Sequence, residues 1–152
     1  MNKPVDKGIK ASPEHSVATL QLLTLRRLQA LYYAVLADFG MTATDWLLLE
    51  SLHRHDAGQR MTDIAEYVRV ELPLITRLVK AHAQAGLLSY ERGVSDRRVK
   101  PVLLTSRGKA VVEQIEQELA KQSAVFEQTA SKRQLEGYYK TLEHFAKYSL
   151  SD

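Results

Sequence analysis

The chain has 152 residues, 45% of them hydrophobic, and no cysteine, a size and composition typical of one globular domain. The lack of cysteine excludes disulfide bonds, thiolate metal sites and thiol redox switches. No apolar run approaches the roughly 18 to 20 residues that span a bilayer, and the first residues lack the apolar stretch of a secretory signal. We therefore expect a cytoplasmic protein with no membrane contact.

The formal net charge is only +3, but its placement is informative. Residues 60–100 contain eight Lys and Arg against five Asp and Glu, which leaves 13 of each elsewhere in the chain. The whole positive surplus therefore lies in one segment, as expected of a surface that faces phosphates. A solvated charged surface is the alternative explanation.

The first third of the chain predicts a flexible arm, residues 1–12, and two helices. Ser12 and Pro13 form a favourable helix start, and apolar residues recur at helical spacing over residues 14–39, up to Gly40. Thr44 is expected to cap a second helix that runs to about His53. Residues 55–59 are polar and predict a loop.

The middle third predicts a helix-turn-helix. Thr62 opens a short helix, residues 69–72 form a turn, and Pro73 lies in the first turn of a second helix that ends near Gly86. Residues 87–92 and 99–104 are typical of two strands joined by a hairpin turn.

The last third predicts two further helices. Thr105 caps a long one, and Ser131 with Gln134 forms a capping box before the second. In that second helix an apolar stripe recurs in steps of three and four residues: Leu135, Tyr138, Leu142 and Phe145.

The apolar stripes in the first and last helices have no obvious partner within the small central lobe. We expect both ends to pack together in a symmetric dimer, the alternative being a bundle within one chain. The predicted fold is mainly α with a small β-wing. Residues 13–40 and 106–150 would form a helical dimerisation region, and residues 41–105 a winged helix-turn-helix lobe.

At this point the sequence resembles the MarR family of bacterial transcriptional regulators. The matching residues occur in the family's order and spacing: Met61-Thr62, Ile64-Ala65, Ile75-Thr76-Arg77-Leu78-Val79, Gly86-Leu87, Asp96-x-Arg98, Leu104-Thr105 and Gly108. The resemblance implies a homodimer that binds pseudopalindromic double-stranded DNA, usually as a repressor that a small molecule releases, with no cofactor. We do not expect an enzyme, because the sequence has no cysteine, no G-x-S-x-G motif, no P-loop and no dinucleotide fingerprint.

The exposed half of the second helix of the helix-turn-helix would read DNA through Pro73, Leu74, Thr76, Arg77 and Lys80. Thr76 can bond to a phosphate or a base, Arg77 can fork onto guanine or phosphate, and Lys80 suits a phosphate. Leu72-Pro73-Leu74 departs from the small polar residues usual there. Apolar side chains read thymine methyl groups, so we expect an A·T-rich half-site, unless Leu74 packs inward.

The wing would add cationic contacts. Arg98 suits insertion into a narrow minor groove, and the resemblance implies that Asp96 orients it. Arg92, Arg97 and Lys100 would contact the DNA backbone or remain solvated. Pro101 indicates an edge position or a bulge in the returning strand.

In the resembled family a small-molecule pocket lies between the dimer helices and the reading lobe. Aromatic residues here would suit a phenol or an aromatic carboxylate, with an arginine as its anchor. The alternative is that these side chains are simply core. The candidate residues are Arg26, Arg27, Tyr32, Tyr33, Phe39, Trp46, Leu49 and His53.

Three further interpretations are open. His82 stands where the pattern normally has a core leucine, and we expect a half-buried, hydrogen-bonded histidine rather than a proton or ligand sensor. His53-x-His55-Asp56 offers metal-binding atoms at an unfavourable helical spacing, so no metal site is predicted and a metal-responsive regulator is the weaker alternative. A nonspecific architectural DNA-binding protein is another alternative. An enzyme is not, because no nucleophile and base can be assembled into a catalytic site.

Overall fold

Six helices and a two-stranded antiparallel sheet make up the described part of the chain, residues 15–90 and 101–147 of a computed structural model. This confirms the predicted mainly helical fold with a small β-wing. In chain order the elements are α1 (Val17–Asp38), α2 (Ala43–His53), α3 (Met61–Val68), α4 (Leu72–Gln84), β1 (Leu88–Ser89), β2 (Leu103–Leu104), α5 (Ser106–Glu127) and α6 (Lys132–Lys147).

The first two helices begin at hydroxyl residues other than the predicted ones. Ser16, rather than Ser12, caps α1, because its backbone is extended and its hydroxyl accepts a bond from the Thr19 N–H at 3.2 Å. Thr42, rather than Thr44, caps α2 and forms a capping box with Asp45. Hydroxyl residues lie close together in both segments, so sequence alone selected the wrong neighbour.

Helices α3 and α4 form the predicted helix-turn-helix. Its turn passes through Arg69, which adopts the left-handed conformation at φ 60° and lets the Val70 N–H donate to the Ala65 carbonyl. Ile75 and Val79 of α4 are fully buried. Gly86, at φ +75°, ends the helix as expected.

The wing sheet has a third, very short member. β1 pairs with β2 in the register Leu88 to Leu104, and Gln59 exchanges both backbone hydrogen bonds with Val102, at 3.0 and 2.8 Å. Gln59 was predicted to be loop, since a single bridging residue leaves no periodic pattern. Gly58 precedes it at φ +76°, and a Cβ there would lie 2.6 Å from the Val102 carbonyl oxygen.

The core of the lobe is built around α2. Its residues Leu48, Leu49 and Leu52 cluster with side chains from α3, α4, the wing and α5: Ile64, Ala65, Ile75, Val79, Leu88, Val102, Leu104 and Val112. The lobe thereby holds α4 on its inner face and leaves its outer face free.

The α5 and α6 starts agree with the sequence. Thr105 caps α5 by accepting a bond from the Gly108 N–H at 3.0 Å. Ser131 and Gln134 exchange capping-box bonds at the start of α6.

Helix α6 has no buried residue, and α1 buries only Val35 and Leu36. Large apolar side chains stand exposed on both helices: Val17, Leu20, Leu22, Leu23, Leu25, Leu31 and Tyr33 on α1, and Tyr139, Leu142 and Phe145 on α6. Among the residues described, no helix is both long and apolar enough to cross a membrane.

Candidate DNA-reading face and effector cleft

The outer face of α4 presents the predicted reading residues. Pro73, Thr76, Arg77 and Lys80 are exposed, while Leu74 is half-buried. The Thr76 hydroxyl donates to the Leu72 carbonyl at 2.9 Å, which leaves the hydroxyl oxygen available as an acceptor. The face therefore offers two cations and one hydroxyl oxygen beside an apolar start of the helix.

Leu74 lies between the two alternatives that the sequence left open, since it is neither fully exposed nor part of the core. Leu72 is 41% exposed and precedes it on the same first turn. The apolar surface at the start of α4 thus comes mainly from Leu72 and Pro73.

The predicted wing contacts Arg92, Asp96, Arg97, Arg98 and Lys100 fall in residues 91–100, which lie outside the described part of the chain. Their roles remain predictions. The described base of the wing, Leu88-Ser89 paired with Leu103-Leu104, follows α4 directly and lies at the same end of the lobe.

His82, in the last turn of α4, bonds to Asp45 of α2. Its Nε2 lies 2.7 Å from Asp45 Oδ1, and the two side chains are only 12% and 11% exposed. This confirms the expected hydrogen-bonded, largely buried histidine. Burial alone would raise the pKa of Asp45, but hydrogen bonds from Thr42 and His82 outweigh it and lower that pKa below 3.8.

Asp45→Asn is expected to reduce the acid sensitivity of the lobe. Because the pKa of Asp45 is lower in the folded chain than the ordinary 3.8, its charge adds stability that is full above pH 3.8. That contribution is lost as the pH falls through the folded pKa. Between about pH 5 and about pH 2, urea titrations should show a smaller fall in the free energy of unfolding for the variant than for the parent chain. Equal falls would contradict this.

The eight predicted effector residues occupy several different places in the described part of the chain. Leu49 is fully buried in the core, as the alternative to a pocket role proposed. Trp46 packs against that core. The Tyr32 hydroxyl bonds to Ser123 of α5 at 3.2 Å. Arg26 and Arg27 are exposed on α1, and Phe39 and His53 are half-buried at the ends of α1 and α2.

Tyr33 does line a cleft, of about 370 Å³, between α1 and the start of α2. Its other lining residues were not predicted: Met41, Thr42, Ala43 and Thr44. The sequence held a usable signal for Thr42, because Thr42-x-x-Asp45 is a capping-box spacing that fixes the start of α2 beside Tyr33.

A second cavity, of about 460 Å³, lies between the wing base and α3, and its lining includes His55, Arg60, Asp63 and Tyr67. His55 is hydrogen-bonded to the Ser51 carbonyl, and Asp56 is paired with Lys109 at 2.9 Å. Among the described residues no three His, Asp or Glu side chains converge as a metal site would require.

Residues 41–100, which include α2 to α4 and β1, match the family model of the MarR family. The chain therefore contains a MarR family domain over these residues. Members of this family are transcription regulators that bind DNA, not enzymes.

Solved MarR-fold structures resemble the chain over nearly its whole length. CouR from Rhodococcus jostii RHA1, bound to p-coumaroyl-CoA, has a TM-score of 0.77 at 15% identity and covers 94% of this chain and 100% of its own. A Staphylococcus aureus MepR–DNA complex has a TM-score of 0.71 at 19% identity, covering 86% and 96%. A Mycobacterium tuberculosis MarR family protein in complex with salicylic acid has a TM-score of 0.65 at 20% identity, covering 89% and 99%. At these identities the likeness concerns the fold.

Two features of the site were not predicted from the sequence. The other residues that line the cleft beside Tyr33 come from the connection between α1 and α2 and from the first turn of α2, and none of them was predicted to face a ligand. Asp45 was not singled out at all, although it joins the capping box to His82.

Proposed function

We propose that this MarR family chain is a homodimeric repressor that binds a pseudopalindromic operator and is released by a small aromatic acid. The observation that carries the proposal is the exposed face of α4, which places Thr76, Arg77 and Lys80 outward from a helix-turn-helix. Such a helix fits the major groove of DNA.

The exposed apolar faces of α1 and α6 support the dimer. Together they line an apolar groove of about 380 Å³, with Leu20 and Leu28 on one side and Tyr138, Leu142 and Phe145 on the other. Patches of this kind mark interaction surfaces, and a second copy presents the same face to it, as a two-fold interface requires. A dimer also supplies two reading heads for the two halves of a palindrome.

The cleft beside Tyr33 supports a small-molecule ligand. Its volume lies within the range of binding pockets, and Met41 and Tyr33 offer apolar surface next to the hydroxyls of Thr42 and Thr44. Salicylic acid and p-coumaroyl-CoA, held by two of the similar structures, are aromatic acids or their thioesters. We assign this chain the same class of ligand.

The decisive experiment titrates the chain against the DNA upstream of its own gene, with a scrambled fragment of equal length and composition as control. A sequence-specific regulator binds the first fragment roughly a thousandfold or more tightly than the second. Equal affinities with a steep salt dependence would instead indicate a nonspecific architectural protein. A thermal-shift screen of salicylate, 4-hydroxyphenylacetate and aromatic thioesters, followed by DNA release, tests the ligand.

Arg77→Ala is expected to weaken operator binding by about 1–3 kcal/mol, because the exposed guanidinium is lost from the centre of the reading face. Thermal stability should be nearly unchanged, since the side chain leaves the core untouched. The matched control is Arg26→Ala, an exposed arginine on α1, which should leave DNA affinity intact. A similar loss in both variants would place Arg77 outside the specific contact.

The apolar start of α4 carries the A·T prediction. Operator variants in which the half-site A·T pairs facing Leu72 and Pro73 are replaced by G·C should bind more weakly, each pair costing about 1–3 kcal/mol. The wild-type protein and a binding-site selection are sufficient for this measurement. A selected site rich in G·C at those positions would contradict the proposed reading of thymine methyl groups.

A further inference from the structure

Asp45 uses its two carboxylate oxygens on different helices. Oδ1 accepts from His82 of α4, at 2.7 Å, across 37 residues of sequence. Oδ2 accepts from the Thr42 backbone N–H at 2.8 Å and from the Thr42 hydroxyl at 2.6 Å. We call these three residues the Thr42–Asp45–His82 relay. It connects the start of α2 to the end of α4.

One end of the relay lies on the reading helix. Helix α4 packs mainly on α3 and β1. The hydrogen bond from His82 to Asp45 ties α4 to α2 as well. His82 follows Arg77 by five residues, about 7.5 Å along the helix axis. Because an α-helix moves nearly as a rigid rod, a change of tilt at His82 displaces the side chains that face DNA.

The other end of the relay lies on the cleft. Thr42 lines the cleft beside Tyr33 and also holds Asp45 through two hydrogen bonds. The Asp45 and His82 side chains are almost excluded from solvent, so water is a poor substitute for a lost partner. A disturbance of Thr42 therefore reaches His82 through one shared carboxylate.

We propose that Asp45 and His82 are positioning residues for DNA recognition, and that the relay makes the placement of α4 respond to changes at the cleft. The inference rests on the proposed function, because it assumes specific DNA reading by α4 and a ligand in the cleft. Contact with Thr42 by a ligand would alter how Asp45 is held and, through it, the hold on His82.

The test is a double-mutant cycle in the full chain, read out as affinity for the operator selected by the wild-type protein. His82→Leu introduces an apolar side chain of similar size and removes the hydrogen bond to Asp45. Thr42→Val removes the hydroxyl at the cleft. Each single variant should weaken binding about tenfold, and the double variant should bind no more weakly than His82→Leu alone. Affinities are compared at a temperature at which circular dichroism shows every variant folded.

Two control variants separate positioning from stability. Thr42→Ser keeps the hydroxyl and should bind the operator as the parent chain does. Ser51→Ala removes a buried bond to the Leu48 carbonyl, 2.8 Å long, and should lower melting temperature without lowering affinity.

Losses that add in the double variant, or unchanged affinity in either single variant, would overturn the inference while the proposed function stands. A loss in Ser51→Ala as large as in His82→Leu would also overturn it, since general loosening would then explain the effect. If the parent chain itself shows no preference over scrambled DNA, both the proposed function and the inference fall.

Discussion

Leu142→Asp is expected to convert the proposed dimer into monomers and to lower operator affinity by roughly a hundredfold or more. Leu142 lines the apolar groove between α1 and α6 and is 45% exposed in the single chain. A carboxylate at the centre of a two-fold interface would be buried twice without a partner, which opposes association strongly. Two reading heads that bind separately also lose the benefit of their linkage.

Sedimentation equilibrium measures the association of this variant, and a DNA titration measures its affinity. The matched control is Glu143→Lys, which changes charge on the neighbouring exposed residue of α6 and should leave the dimer intact. Circular dichroism should show equal helix content in both variants. A Leu142→Asp protein that stays dimeric would show that the groove is not the interface.

Gly108→Ala is expected to destabilise the lobe by about 3 kcal/mol or more, or to prevent folding. Gly108 lies in the first turn of α5, where an added Cβ would meet the Leu87 carbonyl oxygen at 2.1 Å and a Leu104 methyl at 3.0 Å. The carbonyl belongs to the backbone just before β1 and also accepts the Thr105 N–H at 3.0 Å. It cannot withdraw without breaking that bond, so α5 itself must move away from the wing.

Chemical denaturation of the variant provides the measurement, and Gly137→Ala provides the comparison. Gly137 lies within α6 with nothing within 4 Å of the position that a Cβ would take. Alanine there should stabilise the helix by about 0.5–1 kcal/mol. Opposite signs for the same substitution would identify the close contact, rather than helix propensity, as the cause at Gly108. Equal effects would contradict the packing argument.

Local chemistry made much of this fold predictable from the sequence. Glycines that end α1 and α4 adopt the positive φ that their positions suggested, at Gly40 and Gly86. Thr105 and Ser131 cap the helices that they were expected to cap. The starts of α1 and α2 were misplaced, because several hydroxyl residues lie close together in each segment and each of them suits an N-cap.

In the candidate site, too, features set by local sequence pattern were predictable and features set by packing between distant segments were not. The periodic spacing of apolar residues in α4 predicted which of its residues face outward, and Ile75 and Val79 are indeed buried on the inner face. The bond between His82 and Asp45 spans 37 residues and depends on how α4 is placed against α2, so no local pattern reveals it. The effector pocket as a whole stays a prediction for a related reason. Aromatic side chains at helical spacing serve the core as well as a pocket, and Trp46 and Leu49 serve the core.

Thr105 makes the end of α4 and the start of α5 one mechanical unit. Its hydroxyl donates to the Gly86 carbonyl at 2.8 Å and accepts from the Gly108 N–H at 3.0 Å. Helix α5 has 22 residues and is about 33 Å long, and its N-terminus is hydrogen-bonded through Thr105 to the end of the reading helix. A small rotation of the lobe therefore displaces the far end of α5. A swing of about 5° at the lobe moves the far end by roughly 3 Å. In the proposed dimer, small changes in how the two α5 helices are placed would therefore change the distance between the two reading helices. That distance must match the helical repeat of DNA.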